Sequence, residues 1–245
     1  MSSNLFLFGT RVDNLVRADV FRSIDAFLAG TEFHQIATVN PEFLLSARKD
    51  ESFRSILNGC DLNVADGFGL HLGFWRQGKR MLSRTPGADL MTFILDQAER
   101  KNLSVFCAIR KDGLSDWEGI RRKMKRQYPK LRIDGIDIGK TNSADMLRSE
   151  VRDRIIGSHI VLCNFGAPFQ ERFLAGLRKS QGNIRLSMGV GGSFDFMTGK
   201  MQRAPRFMRA IGLEWLWRLI KQPSRFQRIA NAVILFPLLV LFKSR

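Results

Sequence analysis

Short apolar runs alternate with longer amphipathic stretches along most of the chain, a pattern that predicts a mostly parallel β-sheet with helices packed on it. Several runs are apolar at nearly every position, as expected of strands that are buried on both faces. The seven predicted strands are Leu5–Phe8, Gln35–Val39, Leu62–Ala65, Leu103–Ile109, Ile133–Ile138, Ile160–Asn164 and Ile184–Val190. The predicted helices between them include Val20–Ala29, Pro41–Arg48, Ala88–Lys101, Trp117–Tyr128 and Ala144–Ile156.

The alternation of strands and helices ends near Thr198–Pro205. Beyond it the pattern predicts a helix, a break at Pro223 and a second helix, with no further strand. We therefore predict two parts, an α/β catalytic domain over residues 1–198 and a basic, aromatic, helical appendage over residues 199–245.

The apolar run Ile229–Phe242 near the end of the chain is interrupted by Asn231 and Pro237. It is shorter than the ~18–20 apolar residues that a membrane-spanning helix needs. We expect it to lie in a membrane interface rather than to cross a bilayer.

The charge of the chain is strongly positive, +16 over 245 residues, and indicates a polyanionic partner. With 44% hydrophobic and 25% charged residues, the composition is that of a folded protein and excludes global disorder. From Lys200 to Arg245 there are ten Lys/Arg and one acid, Glu214. Because Trp215 and Trp217 and an apolar run accompany these charges, an anionic membrane surface is favoured over nucleic acid.

The three cysteines, Cys60, Cys107 and Cys163, are far apart and lie in apolar contexts. Their spacing fits neither a zinc site nor a disulfide framework, so we expect buried thiols in a reducing compartment. No metal-binding pattern is found, and the beginning of the sequence has no signal-peptide pattern. The expected location is cytoplasmic, with peripheral attachment to a membrane.

Polar residues follow several predicted strands, at the sheet edge where open α/β folds bind their ligands. Thr38 and Asn40 precede a helix with unpaired N-terminal amides, a place suited to a phosphate or a sugar hydroxyl. Taken alone, this segment favours the alternative that Asn40 caps the helix. Asp66 ends an apolar strand and is followed by Gly67 and Gly69. Its carboxylate is a candidate general base for an acceptor hydroxyl, and the alternative is a helix cap.

Three further segments carry residues that suit phosphate binding. Arg84 lies in a turn before a helix, where its guanidinium would either clamp a diphosphate or remain solvated. Glycine-bearing loops follow two later strands, at Asn164–Glu171 and at Gly189–Phe196. The second loop is neither a Walker loop nor the dinucleotide fingerprint, because Phe194 replaces its third glycine, yet its backbone amides could bind phosphate.

Taken in order, these segments resemble the WecG/TagA/CpsF family, glycosyltransferase family 26. The similarity runs from about Asn4 to Arg228. The matching residues are Thr38-x-Asn40-Pro41-Glu42, Ala65-Asp66-Gly67-x-Gly69, Arg84-x-x-Gly87-x-Asp89-Leu90, Gly166-x-Pro168-x-Gln170-Glu171, Gly189-Val190-Gly191-Gly192-x-Phe194-Asp195, and Arg203-Ala204-Pro205 with Gly212-Leu213-Glu214-Trp215-Leu216 and Arg218-Leu219. Six motifs in this order and spacing are specific, although each alone is weak.

The resemblance implies a Rossmann-like α/β fold of the GT-E arrangement, with helices on both sheet faces and a membrane-associated helical appendage. It implies inverting transfer of a sugar from a UDP-sugar donor to an undecaprenyl-diphosphate-linked saccharide, without a metal or another cofactor. The sugar would be of the N-acetylmannosamine, N-acetylmannosaminuronic acid or glucose type. The location would be the cytoplasmic face of the bacterial inner membrane, in cell-surface polysaccharide synthesis. A homo-oligomer stays open, and no nucleic-acid partner is expected.

The resemblance also assigns roles by position, with Asp66 as the catalytic base. The candidate substrate-binding residues are Thr38, Asn40, Arg84, Gln170, Gly189, Gly191, Gly192, Asp195, Arg218, Arg225 and Arg228. The last three lie in the appendage and would close the site over the lipid diphosphate.

The sequence departs from the family pattern at Phe169, where many members carry Lys, and in its longer, more apolar tail. The alternative function is that of a non-catalytic, basic α/β protein that binds nucleic acid, but no nucleic-acid motif supports it. A nucleotide-sugar epimerase or dehydrogenase is disfavoured because the Gly-x-Gly-x-x-Gly and Tyr-x-x-x-Lys patterns are missing.

Overall fold

The computed structural model describes residues 4–139, 141, 147–180 and 182–243. All seven predicted strands are present, and an additional short one brings the number in the described residues to eight. The strands are β1 Leu5–Leu7, β2 Thr10–Val12, β3 His34–Val39, β4 Leu62–Ala65, β5 Ser104–Arg110, β6 Arg132–Ile138, β7 Ile160–Cys163 and β8 Leu186–Gly189.

Six of the strands form one sheet with the order β4-β3-β8-β7-β5-β6. All neighbouring pairs in this sheet are parallel. The carboxyl ends of the strands therefore lie along one edge, as predicted for an α/β fold. Loops that are far apart in sequence, such as those after β3 and β8, meet at this edge.

The predicted strand Leu5–Phe8 forms outside the parallel sheet, contrary to its expected place. β1 pairs antiparallel with β2 and faces it across a two-residue turn. The turn residues Phe8 and Gly9 both have positive φ angles, 51° and 76°. Such a turn suits the right-handed twist of two adjacent strands, so the chain forms a local hairpin.

All five predicted helices are present. The helices of the first 198 residues are α1 Arg17–Ala29, α2 Pro41–Lys49, α3 Glu51–Gly59, α4 Leu70–Arg76, α5 Gly87–Arg100, α6 Trp117–Gln127, α7 Ser149–Ile156, α8 Phe169–Leu177 and α9 Ser193–Thr198. The predicted helix Ala144–Ile156 begins at Ser149 in the described residues, and its positions 144–146 lie outside them. The short helices α3, α4, α8 and α9 were not predicted.

Successive residues of the central strands face opposite sides of the sheet and pack under different helices. In β5, Val105 and Cys107 pack with residues of α1, α5 and α6, whereas Phe106 and Ala108 pack with residues of α7 and α8. Helices thus cover both faces, which confirms the predicted layering. The three cysteines are free and buried, as expected.

The last part of the chain is helical, with α10 Arg206–Ala210, α11 Glu214–Lys221, α12 Phe226–Ala230 and α13 Phe236–Lys243. Phe236 and Val240 are fully buried in a core that also contains Phe74 of α4. The helical segment Pro223–Phe242 is long and apolar enough to cross a membrane by length and composition, with a mean hydropathy of 1.5. It is therefore longer than the apolar run predicted from the sequence.

Replacing Phe236 by Ala should release α13 from the rest of the protein. The buried ring contacts Phe8 edge-to-face, with 6.0 Å between ring centroids, and its loss should cost about 3 kcal/mol in docking free energy. Hydrogen exchange of the α13 amides measures this cost. Phe242→Ala is the matched control because Phe242 is 80% exposed. Equal protection of α13 in the two variants would contradict the assignment.

Candidate active site

A cleft of about 360 Å³ opens at the carboxyl edge of the sheet. Its walls come from the loops after β3, β4, β7 and β8, from the start of α5, and from the C-terminal helices. The sequence-predicted site residues that line it are Thr38, Asn40, Asp66, Gln170, Gly189, Gly191, Gly192, Arg218, Arg225 and Arg228. The fold thus brings most of the candidates to one place.

Asp66 lies between this cleft and a second, smaller cavity, and it lines both. Its backbone is fixed by a hydrogen bond from its own amide to the Val39 carbonyl, at 2.9 Å. Its Oδ2 atom accepts a hydrogen bond of 3.2 Å from the Gly87 amide, the first residue of α5. Asp66 does not cap the helix that follows it in sequence, because α4 begins after Gly69.

Burial among protein atoms raises the pKa of Asp66 from its usual 3.8 to about 7. The Gly87 amide and the guanidiniums of Arg218 and Arg84 act in the opposite direction, whereas the Glu214 carboxylate raises the pKa further. Near neutral pH the carboxyl group is therefore present in both its protonated and its ionised form. A general base needs such a pKa and has to be within reach of a small-molecule substrate.

Gln170 joins the two glycine-bearing loops. Its Oε1 atom accepts hydrogen bonds from the amides of Gly166 at 3.0 Å and Gly191 at 3.3 Å. Its Nε2 atom donates to Oε1 of Glu171 at 2.7 Å. A Cβ atom at Gly189 would lie 2.2 Å from Gln170 Nε2, so this position requires glycine.

Burial raises the pKa of Glu171, the partner of Gln170, to about 7. Glu171 belongs to one of the six sequence motifs, but the sequence alone assigned it no role. Its hydrogen bond to Gln170 holds the carboxamide in the orientation that ties the two loops together.

Asn40 and Thr38 border the cleft at the end of β3. The Asn40 side chain accepts a hydrogen bond of 3.1 Å from the Phe43 amide and caps α2, so the capping interpretation is correct even though the residue also lines the cleft. Thr38 is buried close to the start of α5, where a Cβ atom at Gly87 would lie 3.3 Å from its Oγ1.

Glu214 of α11 connects two arginines at the edge of the cleft. Its Oε1 lies 2.8 Å from Arg218, and its Oε2 lies 3.9 Å from Arg84. Arg84 does not itself line the cleft, and it approaches the cleft through Glu214, which does. The Arg218 guanidinium also lies over the Phe196 ring, 5.6 Å from its centroid.

Arg218, Arg225 and Arg228 all line the same cleft. Arg228 forms an ion pair with Glu42 of α2, with its Nε 3.1 Å from the carboxylate. Burial, together with the neighbouring Arg228 and Arg218, lowers the pKa of Arg225. Mutual repulsion of this kind is relieved by a multivalent anion, so the arginines suit a diphosphate.

Asp195 is the other predicted site residue that does not line the cleft. Its buried carboxylate accepts a hydrogen bond of 2.7 Å from the Ser115 hydroxyl, near the first turn of α9. Sequence reasoning also gave no role to Glu42, Arg203 or Glu214, although all three line the cleft. A sequence signal for these three residues was present, because each belongs to one of the six motifs.

The second cavity, of about 250 Å³, adjoins the cleft and is mostly apolar. It shares five lining residues with the cleft, namely Asn40, Glu42, Asp66, Glu214 and Arg218. The remaining walls are Pro41, Gly67, Phe68, Gly69, Gly212, Trp215, Ile229, Ala232, Val233 and Pro237. In the described residues, no cluster of three or more His, Cys, Asp or Glu side chains is arranged to hold a metal ion.

Comparison with known proteins identifies the family of the chain. The chain matches the sequence model of the "Glycosyl transferase WecG/TagA/CpsF family" over residues 5–245. Two bacterial relatives are both N-acetylglucosaminyldiphosphoundecaprenol N-acetyl-beta-D-mannosaminyltransferases. The Bacillus subtilis (strain 168) protein is 30% identical over 197 residues, 80% of this chain and 75% of the relative. The Bacillus spizizenii (strain W23) protein is 34% identical over 199 residues, 80% of this chain and 74% of the relative. The chain is therefore a glycosyltransferase and belongs to the WecG/TagA/CpsF family.

Proposed function

We propose that the protein transfers a sugar of the N-acetylmannosamine type from a UDP-sugar to a saccharide carried on undecaprenyl diphosphate. The observation that carries this proposal is the position of Asp66, at the junction of an arginine-rich cleft and an apolar cavity. The cleft has cations for a nucleoside diphosphate, and the cavity has room for a neutral or apolar group. The activity of both relatives, on a sugar-diphosphoundecaprenol, supports the choice of substrates.

The proposed reaction is a single displacement with inversion. The acceptor hydroxyl oxygen forms a bond to the anomeric carbon while the bond from that carbon to the UDP oxygen breaks. Asp66 takes the hydroxyl proton, and UDP leaves with the bonding electrons. The perturbed pKa of Asp66, about 7, allows the group to be ionised before the reaction and protonated after it.

Negative charge develops on the departing UDP and has to be stabilised. Arg218, Arg225 and Arg228 lie in the cleft where that charge would form. Backbone amides of the Gly191–Gly192 segment are further donors. We propose that these groups supply the charge compensation and that the reaction is metal-independent.

The proposal places the protein on a membrane, at its cytoplasmic face and peripherally attached. The C-terminal helices carry exposed apolar side chains beside their basic residues, a composition that suits anionic lipid. The exposed apolar residues are Phe207, Ile211, Ile220, Phe226, Ile234, Leu235, Leu238, Leu241 and Phe242.

Asp66→Asn should lower kcat by at least about 100-fold, because the amide cannot accept the hydroxyl proton. The measurement is UDP release from UDP-N-acetylmannosamine with a polyprenyl-diphosphate-linked N-acetylglucosamine acceptor. Asp153→Asn, which changes an exposed acid on α7, is the matched control and should retain activity. Near-normal turnover by Asp66→Asn would overturn the assignment of the base.

The pH dependence follows from the raised pKa of Asp66. The value of kcat/KM should rise with pH and level off above about 7, where the base is ionised. A profile that stays flat through this range would show that another group is the base.

The same raised pKa predicts a pH-dependent stability difference. Between pH values of about 4 and about 7 the folded protein keeps the Asp66 proton that the unfolded chain has lost, so wild-type stability falls as pH rises. Asp66→Asn does not lose stability in this way. The Tm of the variant minus the Tm of the wild type should therefore increase as pH rises towards 7. Glu171, also with a pKa raised to about 7, is present in both proteins and cancels in the comparison.

Vesicle binding should depend on the exposed apolar residues of the C-terminal helices. The double variant Phe226→Ser and Phe242→Ser should bind phosphatidylglycerol-containing vesicles at least about tenfold more weakly. The reason is that the two aromatic rings no longer bury apolar surface in the membrane. Salt should weaken wild-type binding as well. Leu114→Ser, at a position 54% exposed outside these helices, is the control. Unchanged sedimentation of the double variant with vesicles would refute this mode of attachment.

A further inference from the structure

The apolar cavity has a charge pattern that differs from that of the cleft beside it. Its charged lining residues are three acids, Glu42, Asp66 and Glu214, and one base, Arg218. The cleft adds Lys49, Arg203, Arg225 and Arg228 to this set. A nucleoside diphosphate would therefore favour the cleft, which holds these additional cations, over the cavity.

Apolar side chains from two sides enclose the cavity. Pro41 is the first residue of α2 and Phe68 lies in the loop after β4, whereas Trp215, Ile229 and Val233 come from the C-terminal helices. Phe68 packs directly on the backbone of Gly212, where a Cβ atom would lie 2.5 Å from the ring. The cavity is thus formed only where the C-terminal helices meet the loop after β4.

One helical segment both lines the cavity and carries an exposed apolar surface. Ala232, Val233 and Pro237 line the cavity, whereas Ile234 and Leu238 on the same segment are 60% and 47% exposed. Apolar side chains thus continue along this segment from the cavity lining to the exposed surface, where an apolar chain would leave water. Arg218, which lines both spaces, would then lie next to the diphosphate at the head of the chain.

We propose that this cavity binds the isoprenoid units nearest the diphosphate of the acceptor, so that the enzyme recognises the lipid as well as the saccharide. This inference rests on the proposed function and specifies how its acceptor is held. The diphosphate lies at the Arg218 side, the saccharide extends into the cleft to reach Asp66, and the chain leaves along the Ala232–Pro237 segment.

The test compares two acceptors that carry the same diphosphate-linked saccharide, one with an undecaprenyl chain and one with an ethyl group. Ala232→Phe places a ring in the cavity and should raise the KM for the undecaprenyl acceptor by about tenfold, because the displaced chain loses apolar contact. The KM values for the ethyl acceptor and the UDP-sugar should stay unchanged. Leu114→Phe adds a ring at a position that is 54% exposed outside the C-terminal helices and should change none of the three values.

A second variant tests the same cavity with a smaller risk of misfolding. Val233→Ala enlarges the cavity with little risk to the fold and should also raise the KM for the long-chain acceptor alone. The inference is overturned if both acceptors respond equally to Ala232→Phe, or if neither responds to either cavity variant.

A binding experiment separates this inference from the proposed function. Geranylgeranyl diphosphate with a benzophenone near its first isoprene unit should label peptides that contain Phe68 or Ala232–Pro237, and Ala232→Phe should lose the label. Labelling of the cavity in a protein that transfers no sugar would overturn the proposed function and retain the isoprenoid site. Labelling elsewhere in an active enzyme would overturn the site alone.

Discussion

The ion network formed by Arg84, Glu214 and Arg218 joins the C-terminal helices to the carboxyl edge of the sheet, and the geometry of the site depends on it. The side chains of Arg84 and Glu214 are only 17% and 16% exposed, so either charge without the other would have lost hydration without compensation. All three members of the network act on the pKa of Asp66, which Arg218 and Arg84 lower and Glu214 raises. The position of α11 and the ionisation of the candidate base are therefore linked.

Much of the fold could be predicted because its strands are buried on both faces. Runs such as Ile160–Cys163 are apolar at every position, as expected of strands in a parallel sheet that is covered on both faces. The position of Leu5–Leu7 could not be predicted in the same way. Its partner Thr10–Val12 has only three residues, too few for a periodic signal, and its pairing depends on the turn at Phe8 and Gly9.

The site was predictable as a set of positions but not as a set of contacts. Strand ends located Thr38, Asn40 and Asp66 at one sheet edge, where they are found. The hydrogen bond from Gly87 to Asp66 and the pairing of Arg84 with Glu214 join residues 21 and 130 positions apart. Local sequence has no signal for such pairs, since tertiary packing brings them together. The family resemblance supplied the motif order that made Asp66 stand out.

The apolar residues of the C-terminal helices divide between the protein core and an exposed surface, and a single amphipathic pattern does not distinguish the two. Phe236 and Val240 are buried against α4, so part of the apolar surface stabilises the fold, while Phe226 and Phe242 remain exposed. The same helices bring Arg218 and Arg225 into the cleft. If the helices undocked, the cleft would lose these cations and the apolar cavity would lose its Trp215 wall at the same time. Under the proposed function, a lipid acceptor that holds the helices in place would therefore complete the site for its own reaction.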